Sequence, residues 1–326
     1  MDETRSSLLQ QPVEDISLEE AAENAGGLVG LLGKLGGFSA RYLVRSAETL
    51  LEMYRSGAVV MFSFPANLVA TGLRGLFADL LRHGLAHAVI TTGGTFDHDI
   101  ARGLGYKYYI GEFEFDDAYL KELEIHRLGN ILVPSENYGP PVESFTHMML
   151  EELSKTKTDW SPSELAFEAG RRLSDPYSIL HAAYSKNVPI FAPGIVDGAF
   201  GTAIYTFNEK GRASSTLKPI QLDLIRDLGK IADIVYSAEK LGGLMLGGGI
   251  SKHHLIWWAQ FRGGLDYAVA ITSAPEWDGS LSGARTREAI SWGKIKPRAS
   301  HVTVPGDATI IFPAIIGYVA RELGVI

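Results

Sequence analysis

The stretch AVVMFSFPANLVATGLRGLFADLLRHGLAHAVITT, residues 58–92, decides the fold. It opens on AVVMFSF, a short and nearly continuous apolar run of the kind that forms a strand buried on both faces. In the next segment, NLVATGLRGLFADLLRHG, apolar residues recur at helical spacing, which predicts a helix ending at Gly84. A second apolar run, AHAVITT, comes directly after. Strand, helix and strand in so short a length form the repeating unit of a parallel sheet.

The same alternation runs outward in both directions. A helical stretch, SARYLVRSAETLLEMYRSG, precedes the unit. Beyond it lie the strand candidates KYYIG, VPIFAP, ADIVYS, GLMLGG, YAVAIT and HVTV. Helical stretches such as PSELAFEAGRRL, PYSILHAAYSK and LDLIRDLGK separate most of them. The expectation is an α/β fold: a doubly wound, mostly parallel sheet with helices on both faces. Neither a clean linker nor a repeat divides the chain, so residues 36–326 read as one domain. Residues 1–35 read as an N-terminal arm, with a candidate helix SLEEAAEN and a glycine-rich piece AGGLVGLLGKLGG. The arm either packs on a neighbouring subunit or is a loose end.

Composition narrows the function classes. The chain is 46% apolar and 21% charged, ordinary for a globular protein, and its net charge of −8 carries no basic footprint for nucleic acid. It has no cysteine, which excludes disulfides, thiolate catalysis and cysteine-ligated metals. The nine histidines show no HExxH or other zinc spacing, so no metal site is expected. The beginning, MDETRSSLLQQ, lacks the character of a signal peptide, and the near-apolar run 308–320 is too short to span a bilayer and contains a proline. A soluble, cytoplasmic protein is expected.

Ligands in open α/β sheets bind beyond the carboxyl ends of the strands. Several strand ends here run into unusual loops: GGTFDHD, VDGAFG, GGGISKHH and PEWDGSLSGA. The GGG at 247–249, between a strand and a helix, lets the backbone approach a phosphate, although GxGxxG and GxxxxGK[ST] are both missing. Trp257 and Trp258 read as helix packing, whereas Trp277 and Trp292 are less easily explained that way, and exposed indoles near a cleft make good platforms for a cationic ligand. Glu288 and Trp292 are four apart and share a helical face, with Lys294 just past them. A carboxylate, an indole and an amine thus converge. The bland reading is a surface lysine laid along Trp292. The sharper one is an imine-forming nucleophile, which must be neutral when it attacks.

The segments GGGISKHH, YAVAITSAPEWDGSLSGARTREAISWGKI and GDATIIFP resemble the deoxyhypusine synthase family, with loop wording of the archaeal type. The resemblance continues upstream in ANLVATGLRG, ITTGGTFDHD, HRLGNILVPSENY and PGIVDGAFG, and so covers nearly everything after about residue 35. It implies a Rossmann-like, NAD-dependent transferase that moves the aminobutyl group of spermidine to one lysine of the precursor of translation initiation factor 5A. It also implies a homotetramer with NAD sites at a dimer interface, where an N-terminal segment can block a neighbouring active site.

Carried over residue by residue, the resemblance makes Lys294 the imine-forming lysine and Trp292 its indole wall. Glu288 becomes a carboxylate of the polyamine pocket and His253 the proton acceptor. The matching NAD positions are Asn67, Thr91, Thr92, Gly93, Asp197, Gly247, Gly248, Ser273, Asp278, Ser282 and Asp307. Thr202 and Leu281 stand where the pocket would carry aspartates, and Asp97 and His98 where two glutamates would stand. Those departures leave open a homospermidine synthase-like enzyme with a free amine acceptor, a different polyamine donor, or a silent NAD-binding paralogue.

Overall fold

The computed structural model describes residues 4–214 and 217–326. Its main sheet has six strands: β1 (Val59–Ser63), β2 (Ala88–Ile90), β3 (Ile190–Phe191), β4 (Leu241–Leu246), β5 (Leu265–Thr272) and β6 (Ile295–Pro305). They lie in the order β3-β2-β1-β4-β5-β6, and every neighbouring pair is parallel. This is the doubly wound arrangement expected from the sequence, and the strand order reverses between β1 and β4.

Successive side chains on each strand enter different cores, as the period of two requires. Val60 and Phe62 of β1, Leu244 and Leu246 of β4, and Val269 and Ile271 of β5 face one apolar cluster. Met61, Met245, Ala268 and Ala270 face the other. The first is filled by aromatic packing: the Phe77 ring lies 5.1 Å from Phe62 and 4.5 Å from Phe64, and Phe312 lies 6.0 Å from Phe62. The second is covered by helices Leu224–Ser237 and Gly249–Ala259, through Ile231, Val235, Leu255 and Ile256. β1, β2 and β4 are buried on both faces, which is why they read as apolar runs rather than alternations.

Two strand expectations are corrected. ADIVYS is the second half of helix Leu224–Ser237. Ile231, Ile234 and Val235 recur at three and four, and the apolar stripe begun by LDLIRDLGK continues through them without a break. KYYIG does contain a strand, Tyr109–Ile110, but it pairs antiparallel with Ile131–Pro134, which pairs on its other side with Ile125–Leu128 in a small separate sheet.

Of residues 1–35, the first three lie outside the described residues. Helix Leu18–Asn24 begins with a capping box in which Ser17 and Glu20 satisfy each other's backbone N–H. It packs on the chain's own helix Ala308–Leu323, so closely that a Cβ on Gly317 would sit 2.4 Å from the Ala21 carbonyl oxygen. Helix Gly26–Leu35 follows and exposes Leu28, Leu31 and Leu35. Behind the arm, the buried Arg74 guanidinium holds three carboxylates: Asp15 and Asp99 at 2.7 Å each, and Asp175. Among the described residues, no helix is long and apolar enough to cross a membrane.

Candidate active site

All the positions matched to NAD lie at or just beyond the carboxyl ends of the six strands. Asn67 follows β1, Thr91, Thr92 and Gly93 follow β2, and Asp197 follows β3. Gly247 and Gly248 follow β4, Ser273, Asp278 and Ser282 follow β5, and Asp307 follows β6. Helix Gly249–Ala259 starts at the reversal point with no side-chain cap, leaving its first N–H groups for an anion. The turn before it is tightly packed: a Cβ on Gly248 would lie 2.2 Å from Ser282 Cα, which locks the GGG turn to the DGSLSGA loop. Asn67, Asp197, Ser273, Asp278 and Asp307 are exposed along this edge. Asp278 accepts from Ser280 N at 2.7 Å and Asp307 from Thr309 N at 2.9 Å, each through Oδ1. Their Oδ2 atoms suit ribose hydroxyls. This donor and acceptor set fits a dinucleotide. Thr91 differs: it is wholly buried, its hydroxyl held by the Phe64 carbonyl at 2.8 Å and by Thr95 at 2.6 Å.

Asp97 and His98 have internal work. The buried Asp97 carboxylate accepts from Ala199 N at 2.9 Å, Phe200 N at 2.7 Å and the Tyr138 hydroxyl at 2.8 Å. It thereby ties the helix after β2, Gly94–Gly103, to the first turn of the helix after β3, Ala199–Ser214. His98 bonds the Tyr108 hydroxyl at 3.0 Å, and burial pushes its pKa down to about 4.

Beside the GGG turn lies a cavity of about 260 Å³ lined by His253, Leu281, Glu288, Trp292 and Lys294. Five residues singled out from the sequence therefore meet in one volume. Lys294 is 7% exposed, and its backbone is pinned by Lys294 N to Ala289 O and by Leu265 N to Lys294 O, both 3.0 Å. Its Nζ lies 5.2 Å from the Trp292 ring centre and 5.8 Å from that of Trp257, within reach of both indole faces. Glu288 makes no ion pair with a described residue and is open to a cationic ligand. The His253 ring stacks on Trp257 at 5.7 Å, and burial, then the charge of Lys294, hold its pKa below the usual 6.5. Thr202 is not part of this lining: it is exposed on helix Ala199–Ser214, its hydroxyl bonded to Gly198 O at 2.9 Å.

Trp257 corrects the sequence reading. It is 42% exposed and walls the cavity, because His253 and Trp257 stand four apart on the helix face turned to the site. Trp258, on the next face, packs against Phe261. Lys252 and Arg285 also line the cavity and were not singled out. Lys252 is 3% exposed, and its ammonium donates to Leu281 O at 3.0 Å and Ala284 O at 2.6 Å. It is the strut between the helix bearing His253 and the loop bearing Leu281. The nearby SKHH spelling was the available signal.

A family model, deoxyhypusine synthase, matches residues 27–319. The chain belongs to the deoxyhypusine synthase family. Its similarity is extensive. A probable deoxyhypusine synthase of Sulfolobus acidocaldarius is 50% identical over 97% of this chain and 99% of its own length. One of Ignicoccus hospitalis is 51% identical over 95% and 96%. The fold is shared with the crystal structure of an Entamoeba histolytica protein assigned to the deoxyhypusine synthases, at a TM-score of 0.61 and 22% identity, covering 86% of this chain and 87% of that one. Membership makes the protein a transferase of hypusine biosynthesis, moving the aminobutyl group of spermidine to a lysine.

Proposed function

We propose that the cavity around Lys294 is where aminobutyl transfer takes place, with NAD bound along the carboxyl edge of the sheet. The carrying observation is the buried Lys294 amine between two indoles, with a histidine and a carboxylate that has no ion-pair partner among the described residues in the same cavity. The residues along that edge, from Asn67 to Asp307, would hold NAD, which would supply the hydride acceptor for the carbon next to the secondary amine of spermidine and the hydride donor for the final reduction. Glu288 holds a primary ammonium of the donor, and Trp257 and Trp292 flank its methylene chain. His253 accepts the proton released when the secondary amine becomes an imine; its low pKa keeps it neutral for that role. Lys294 Nζ adds to the imine carbon, and diaminopropane leaves. The aminobutyl group, now an imine on Lys294, passes to the ε-amine of the acceptor lysine, which displaces Lys294. The acceptor is the precursor of initiation factor 5A.

The single chain supplies one carboxylate to a donor with several ammonium groups. Exposed Val196, Tyr205, Ile250, Trp277 and Ile310 lie near the carboxyl ends of the strands. We infer a homotetramer that covers this edge, with Asp197, Thr202 and the NAD positions at the contact between subunits. Light scattering of the purified protein tests the oligomer.

The chemistry is tested by trapping. The protein is incubated with NAD and spermidine without acceptor, reduced with borohydride and mapped by mass spectrometry. An aminobutyl adduct on Lys294 is expected, and none on Lys294→Arg. An adduct on another lysine, or no adduct in protein that binds NAD, refutes the assignment.

A further inference from the structure

A second depression adjoins the reaction cavity. It has a volume of about 370 Å³ and shares Arg285 and Thr286 with the Lys294 cavity. Its polar lining includes Tyr42, Arg45, Glu276, Arg285, Arg287 and His301. Three guanidiniums and an imidazole therefore surround one carboxylate, on a chain whose net charge is −8. That carboxylate does not satisfy them. Arg287 Nη2 bonds Glu276 Oε1, and Arg285 Nε stands 3.8 Å from Oε2, beyond hydrogen-bond reach. Arg285 Nη1 is buried with no hydrogen-bond partner among the described residues. Arg45 is exposed on helix Phe38–Arg55 and has no carboxylate partner among the described residues. His301 Nδ1 bonds the Thr286 hydroxyl at 2.9 Å, and Arg45 lies near enough for its charge to act on the ring.

The reaction cavity, at about 260 Å³, has room for a lysine side chain and the group it receives. The residues flanking the acceptor lysine must then stay on the rim, and the basic groove is part of that rim. We propose that this groove docks a carboxylate side chain of the acceptor protein, close in space to the lysine being modified. Arg45 and Arg287 form its outer contacts. The proposal rests on the transfer reading above and adds to it the means by which the acceptor is recognised. Charge at a rim of this kind acts chiefly on encounter and is sensitive to salt.

The test uses the full chain with Arg45→Gln, Arg45→Glu, Arg45→Lys and the double variant Arg45→Gln/Arg287→Gln. Spermidine-dependent NADH formation is measured without acceptor, and transfer is measured against the concentration of the factor 5A precursor. NADH formation should be unchanged in every variant. The KM for acceptor should rise about tenfold in Arg45→Glu at low ionic strength, and the gap should narrow near ~0.5 M salt. Arg45→Lys should fall between wild type and Arg45→Gln. An unchanged KM for acceptor overturns the proposal. So does a rise in the KM for NAD instead, which would give the groove to a cofactor phosphate, or dissociation of the oligomer, which would make it a subunit contact. Absence of NADH with the wild-type protein would overturn the transfer reading itself, and the docking proposal with it.

Discussion

Replacing Lys252 by methionine should remove a distinctive slope from the pH dependence of stability. Lys252 is 3% exposed, and burial, then the charge of Arg285, depress its pKa from 10.5 to about 8 against the attraction of Glu288. In the unfolded chain the amine keeps its proton up to about 10.5. Between about 8 and 10.5 the unfolded state therefore binds more protons than the folded one, and stability must rise with pH across that window. The penalty for holding the charge is complete below about 8 and has faded by 10.5. At ~1.4 kcal/mol per pH unit, the gap is worth about 3 kcal/mol, or about 5 °C in Tm for a chain of this length. Lys252→Met keeps the stem but cannot titrate, and it leaves Leu281 O and Ala284 O without their donor at every pH. Denaturant unfolding, followed by tryptophan fluorescence at equal protein concentration, gives the difference between the two proteins from pH 7.5 to 10.5. Wild type should gain about 3 kcal/mol on the variant over that range. A difference that stays constant within ~0.5 kcal/mol would show that Lys252 ionises in the folded protein much as it does in water, and the strut would then be no buried charge.

Three further outcomes follow from the same geometry. His253→Ala should slow NADH formation from spermidine by about a hundredfold or more; because the folded-state pKa of His253 lies below 6.5, the acid limb of the wild-type rate should also fall below pH 6.5 and disappear in the variant. Leu281→Asp places a carboxylate on the cavity wall and should lower the KM for spermidine several-fold, read from initial rates at fixed NAD. Arg74→Met leaves Asp99 and Asp175 without their cation and Asp15 with Arg102 alone, at 3.0 Å, and should cost about 3–5 kcal/mol of stability by denaturant titration.

The parallel sheet was legible because β1, β2, β4 and β5 are buried on both faces and so spell continuous apolar runs. ADIVYS was misread because a window of six cannot separate a buried strand from half a helical stripe; the arbiter was the length of the stripe, which begins back at Leu224. The convergence of Glu288, Trp292 and Lys294 could be seen because the three are close in sequence. His253 and Leu281 join them through the packing of Gly248 on Ser282, a backbone contact with no pattern of its own. Trp257 was hidden for a related reason: neighbouring indoles on a helix look alike until the facing wall is known. Lys252 acts through two carbonyls, and carbonyls are common to every residue.

The contact between Ala21 and Gly317 also has a meaning for synthesis. The surfaces that meet there are separated by nearly the whole chain, so helix Leu18–Asn24 emerges from the ribosome long before its seat exists. At ~5–20 residues per second, the interval is roughly 15–60 s. Throughout it, Leu18, Ala21 and Val29, all buried in the finished fold, have nothing of their own chain's last helix to cover them. The arm is thus the earliest part of this segment pairing to be made and among the last to be put in place, and a nascent chain waiting with it uncovered is open to whatever apolar surface arrives first.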